Sequence, residues 1–139
     1  MALNGRRGVM ERALQACFTG GVDALPELFT KDVSGWAPNM LVTSLDELKD
    51  VVAYRDTSLS DVNLEINAID VVGNKGYAEY RVSAVFSGPF AVDQETVIQP
   101  NGRTILLGAA MVAEFDEDKI SAFRNYFDDV TLLAQMIDV

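Results

Sequence analysis

Four stretches that read as long β-strands follow one another in the C-terminal half of the chain, and they constrain its fold more than any other feature. Residues 62–72 are rich in β-branched side chains and stop at Gly73-Asn74-Lys75-Gly76, a turn signal. Lys75–Phe86 makes a second strand, closed by Gly88-Pro89. Pro100-Asn101-Gly102 reads as a hairpin turn, because Asn-Gly readily takes positive φ at both central positions. Residues 104–115 form the next strand, and the acidic turn Asp116-Glu117-Asp118 leads into Lys119–Phe127. A meander of this kind must bury one face against another layer.

The first half supplies that layer. Val9, Met10, Ala13, Leu14, Cys17 and Phe18 recur at helical spacing, and Gly20-Gly21 ends the helix. Asp23 is expected to cap a short second helix, with Pro26 in its first turn and Leu25, Leu28 and Phe29 on its apolar side. An extended piece over 33–37 breaks at Pro38. Ser44 with Glu47 forms a capping box for a third helix that carries Leu45, Leu48, Val51, Val52 and Arg55 and ends near Tyr54. Asp128 and Asp129 open a final helix carrying Val130, Leu133, Met136 and Ile137. Helices first and strands afterwards predict an α+β domain with the helices on one face of the sheet. No repeat or linker divides the chain, so residues 1–139 read as one domain.

Composition narrows the function classes. With 49% hydrophobic residues the chain can bury a core, while the net charge of −10 disfavours nucleic acid and anionic membranes. No apolar run approaches the roughly 20 residues of a membrane span, and the start lacks a secretory pattern, so a cytoplasmic location is expected. The single cysteine cannot form an internal disulfide, and the absence of histidine removes Ser-His-Asp and Cys-His catalysis and His-based metal sites. The acidic turn lacks the ligand ladder of a calcium loop. No metal and no cofactor is expected.

The ordered motifs carry a family resemblance. Leu25-Pro26-Glu27-Leu28-Phe29 with Asp32, Ser44 before the third helix, Gly88-Pro89-Phe90, Pro100-Asn101-Gly102-Arg103, Lys119-Ile120 and Arg124-Asn125-Tyr126-Phe127-Asp128 followed by Leu132-Leu133-Ala134-Gln135-Met136 together resemble the SnoaL-like branch of the nuclear transport factor 2-like (NTF2-like) superfamily. That resemblance implies a cone-shaped fold, a curved antiparallel sheet with helices over its concave face, a pocket between them, and a homodimer. It extends over nearly the whole chain.

The chemistry of the relatives does not carry over residue by residue. Ketosteroid isomerases hold a tyrosine, an aspartate base and a protonated aspartate at positions matching Ala13, Ala37 and Met111. Limonene-epoxide-type hydrolases hold a tyrosine and an asparagine at Gly35 and Ala37, an Arg-x-Asp pair at Arg81 and Ser83, and an aspartate at Asn125. Asn125 also matches the acid–base aspartate of SnoaL-type cyclases, and an amide cannot act as a general base.

Strand alternation offers a candidate inner face. With Arg81 inward, Tyr77, Glu79, Ser83 and Val85 share its side, while Leu107, Ala109, Met111 and Ala113 line the next strand. Phe123, Asn125 and Phe127 line the last, and Trp36 and Tyr54 close the mouth. Arg81 would grip an anion or oxyanion, Glu79 would serve as a relocated base or simply satisfy Arg81, and Asn125 would hold a carbonyl or water. The opposite face of that strand, Tyr80, Val82, Ala84 and Phe86, would then form a dimer surface. Three readings follow: a binding protein for a small, largely apolar organic molecule; an isomerase, polyketide cyclase or epoxide-hydrolase-like enzyme using Arg81 and Glu79; or a dimeric scaffold with a vestigial pocket.

Overall fold

The computed structural model describes residues 5–137. The chain runs through α1 (Gly5–Phe18), a 3-10 turn (Val22–Ala24), α2 (Leu25–Leu28), β1 (Phe29–Ala37), β2 (Met40–Val42), α3 (Leu45–Ser58) and β3 (Leu59–Val72). It continues through β4 (Lys75–Phe86), β5 (Phe90–Ala91), β6 (Val97–Ile98), β7 (Thr104–Asp116), β8 (Lys119–Phe127) and α4 (Asp129–Ile137). Six strands form one sheet in the order β2-β1-β8-β7-β4-β3, and β5 pairs with β6 in a separate small ribbon. The four long strands lie as successive antiparallel neighbours. One junction runs parallel, where Ser34, Gly35 and Trp36 of β1 pair with Ala122, Phe123 and Arg124 of β8.

Strict alternation along β4 decides which face meets the helices. Ala78, Tyr80, Val82, Ala84 and Phe86 are buried, whereas Tyr77, Glu79 and Arg81 are exposed. Ala78, Tyr80 and Val82 pack with Val9, Met10, Ala13 and Leu14 of α1 and with Met111 and Ala113 of β7. Each fully buried aliphatic side chain of this size contributes about 1.5–3 kcal/mol. Toward the other end of β4, Ala84, Phe86 and Ile105 pack against Leu132 and Met136 of α4. The face expected to form a dimer surface, Tyr80 through Phe86, is therefore the covered concave face. The apolar side of a central strand has more to gain from the core than from solvent.

Local signals mostly acted where expected. Ser44 Oγ accepts from the Glu47 amide at 3.1 Å, and Glu47 Oε1 accepts from the Thr43 amide at 2.6 Å. The helix they start continues to Ser58 rather than stopping near Tyr54. Asp128 Oδ1 accepts from the amides of Val130 (3.1 Å) and Thr131 (3.2 Å), which caps α4. Asp23 does not cap. It sits inside the 3-10 turn, which backbone bonding from the Ala24 amide to the Gly21 carbonyl (2.9 Å) already closes.

Pro100-Asn101-Gly102 turns the chain without making the expected hairpin. Gly102 does take φ +70°. Asn101, however, donates its side-chain amide to the carbonyls of Gln135 (3.1 Å) and Met136 (3.0 Å), partners in the last turn of α4. A close approach explains Gly35: a Cβ there would lie 2.3 Å from Cζ of Phe123. Among the described residues no helix is long and apolar enough to cross a membrane.

Candidate functional site

Between the concave face and the helices lies a cavity of about 490 Å³. Its floor is Tyr80 and Val82 of β4, Leu107 and Met111 of β7, and Phe123, Asn125 and Phe127 of β8. Side chains two residues apart on a strand point the same way, and register places Met111 opposite Ala78 and Asn125, so all three strands present this set together. Ala13, Leu14, Cys17 and Phe18 of α1 and Leu48, Val51, Tyr54 and Arg55 of α3 form the roof. Tyr54 Oη accepts from the Ala91 amide at 2.8 Å and its ring lies 6.4 Å from that of Phe90, which holds the β5 segment across the mouth.

One hydrogen bond joins two polar side chains on the cavity floor. Tyr80 Oη donates to Asn125 Oδ1 at 2.7 Å. Burial pushes the Tyr80 phenol well above its ordinary pKa, with the charge of Arg55 acting in the opposite direction and Cys17 adding a further upward push. The hydroxyl therefore stays protonated at neutral pH and serves as a donor. Burial also raises the Cys17 thiol to about 11, again opposed by Arg55. Such a thiol is not a ready nucleophile.

Several residues expected at the site lie elsewhere. Arg81, Glu79 and Ser83 belong to the convex face, because the apolar set on β4 claims the inside. Arg81 bonds across to Glu65 of β3, its register partner, with Nε at 3.0 Å from Oε1, and both side chains are more than half exposed. It shares no cavity with Asn125. Trp36 is also convex, 41% exposed, with its ring tilted against that of Tyr126 at 5.4 Å between centroids. Tyr54, Met111, Phe123, Asn125 and Phe127 do line the cavity together. Tyr80 and Arg55 were not foreseen as site residues, yet each carried a signal: Tyr80 stands in an unbroken apolar alternation, and Arg55 follows Leu48 and Val51 at helical spacing.

The positions matching the isomerase groups, Ala13, Ala37 and Met111, all face the cavity, and none carries a titratable atom. Among the described lining residues Asp50 is the one carboxylate, and it is exposed. No group of three or more His, Cys, Asp or Glu side chains among the described residues could hold a metal ion.

A curved, antiparallel-dominated sheet closed over by helices around one apolar cavity defines a pocket protein of the NTF2-like architecture. The family of SnoaL-like polyketide cyclases matches residues 8–136, and the chain belongs to that family. Among solved structures it resembles TsrD from Streptomyces laurentii (TM-score 0.81, 16% identity, 99% of this chain and 98% of that one covered). It also resembles a SnoaL-like polyketide cyclase from Agrobacterium tumefaciens str. C58 (TM-score 0.74, 15% identity, 94% and 97% covered). A third likeness is to an LEH-like epoxide hydrolase from M. tuberculosis (TM-score 0.72, 13% identity, 95% and 89% covered). At these identities the likeness shows the fold. No curated protein sequence matches the chain.

Proposed function

We propose that the cavity binds a small, largely apolar organic molecule without turning it over, and that the Tyr80–Asn125 pair orients it. The observation that carries this reading is the lack of a buried proton acceptor among the described lining residues: an apolar cavity of about 490 Å³ whose central polar groups are a protonated phenol and an amide. Neither can take a proton from carbon or water near neutral pH. The volume suits a drug-sized ligand. Tyr54, Met111, Phe123 and Phe127 supply apolar contact, while the Asn125 amide nitrogen offers a donor to a ligand carbonyl.

A second reading has one observation in its favour. A tyrosine kept protonated inside an apolar cavity can polarise a carbonyl, as an electrophilic catalyst of an isomerase or cyclase would. A panel of bicyclic enones and polyketide-like ketones separates the two by ligand-observed NMR and product analysis. Binding without turnover, weakened by Met111→Trp, supports the binding protein. Turnover that disappears in Tyr80→Phe would overturn it in favour of the enzyme.

The partner proposed besides the ligand is a second copy of this chain, docked through the convex face where Trp36, Tyr77, Leu106 and Tyr126 stand exposed. One half-buried free cysteine suits the reducing cytoplasm.

A further inference from the structure

Arg55 is the one cation on the cavity wall among the described residues, and the polar pair does not use it. It lies on α3, four residues after Val51 and seven after Leu48, so the helix turns it to the side that faces the cavity. Its guanidinium lies over the Phe18 ring, 4.6 Å from the centroid, and that ring is 5.5 Å from the ring of Tyr80. Nη1 donates to the Cys17 carbonyl at 2.9 Å. No carboxylate among the described residues pairs with it. Asp50 on the same wall is exposed, and the acids that do pair with arginines, Glu65 and Glu114, sit with Arg81 and Arg124 on the other side of the sheet.

That state is unusual for a half-buried cation. A guanidinium presents five N–H donors, and charges withdrawn from water are normally paired. Here one hydrogen bond and one aromatic face hold it in place while the rest of the fork is left for something else. Contact with the Phe18 ring and the bond to the Cys17 carbonyl hold the guanidinium at the wall, and its remaining N–H donors suit two parallel bonds to a carboxylate. Its charge reaches the nearby polar groups, since it opposes the effect of burial at both Tyr80 and Cys17.

We propose that the molecule taken up by the cavity is an apolar monocarboxylate, with Arg55 receiving its carboxylate. The inference rests on the binding reading above and names the chemical class of the ligand. The hydrocarbon or aromatic body then lies along Val82, Met111 and Phe127, and a neutral oxygen on that body meets the Tyr80–Asn125 pair. In a chain of net charge −10 an anion gains nothing from long-range attraction, so its selection has to come from a direct contact. A single unpaired guanidinium matches a single negative charge and would leave a phosphate dianion half-compensated.

The test compares 2-naphthoate with 2-naphthamide, probes of nearly equal shape that differ in charge. Titration calorimetry on the full chain should give naphthoate at least about tenfold tighter binding, equivalent to about 1.4 kcal/mol. Arg55→Met should erase that preference while leaving naphthamide affinity within about threefold, under half of that free energy. In the wild type, the Arg55 Nε–H resonance should move on adding naphthoate and stay in place with naphthamide, a readout that needs no variant. Equal affinity for the two probes overturns the inference and leaves the apolar pocket standing. A naphthoate preference with an unmoved Arg55 resonance overturns it as well, because the acid is then held elsewhere. If neither probe binds, the inference and the binding reading fall together.

Discussion

Arg81 bonds to Glu65 on the open convex face, where solvent screens the pair and little stability depends on it. Arg81→Ala should therefore leave the urea midpoint nearly where it is and probe affinity unchanged. A tenfold loss of affinity would return Arg81 to the site. The face of β4 is legible in the alternation Ala78, Tyr80, Val82, Ala84, Phe86, which sets Arg81 outward. What no sequence pattern shows is the partner. Counting back from the Val72–Lys75 turn would set Glu65 opposite Val82. The register shift between Ile66 and Ala68 sets it opposite Arg81 instead. Cys17 behaves differently, because its thiol is raised from 9.0 to about 11 by burial. Between those values the unfolded chain loses a proton that the folded chain keeps. The stabilisation is thus whole below pH 9 and declines as pH rises toward 11, by up to about 1.4 kcal/mol per pH unit. Urea titrations across that range should show the slope, and Cys17→Ala should flatten it; an equal slope in the variant would assign the effect to other groups.

Among the elements, α4 is tied by side-chain hydrogen bonds at its start, along its length and at its end. Asp128 caps its start, Asn101 answers the carbonyls of Gln135 and Met136 at its end, and Gln135 exchanges hydrogen bonds with both backbone groups of Leu106. Leu132 and Met136 supply the apolar contact. Asn101→Ala removes two of these bonds at the helix end and should cost about 1–3 kcal/mol, since it leaves carbonyls unanswered. The loss should be local: amide exchange should accelerate in α4 and at the mouth of the cavity, while β4 and β7 amides keep their protection. Uniform acceleration throughout the domain would show instead that α4 unfolds only with the whole. The cap at Asp128 was legible from Asp at a helix start. The Asn101 tie was not, because the segment obeys hairpin chemistry locally and its amide is drawn off by a helix some thirty residues later.

At the scale of the whole molecule, charge and exposed apolar surface act against one another. The chain carries a net charge of −10, yet the convex face holds two paired acids, Glu65 against Arg81 and Glu114 against Arg124. Hydrogen bonding by Arg124 holds the Glu114 carboxyl below its usual range, so that pair stays charged well into mild acid. Two copies meeting through this face would bury Trp36, Leu106 and Tyr126 against each other, beside two acids whose charge an arginine already offsets. The remaining acids still oppose association at a distance, and that repulsion is what salt screens. Sedimentation equilibrium should accordingly show dimerisation tightening as NaCl rises from about 20 mM to about 200 mM, where the Debye length falls below about 10 Å. The opposite salt dependence would mean that specific ion pairs across the interface, rather than apolar contact, hold it. Leu106→Glu adds a charge at the centre of the proposed contact and should leave a folded monomer at both salt concentrations. A wild type that stays monomeric in high salt would show the convex face to be free in solution, leaving the cavity, which is built wholly within one chain, unaffected.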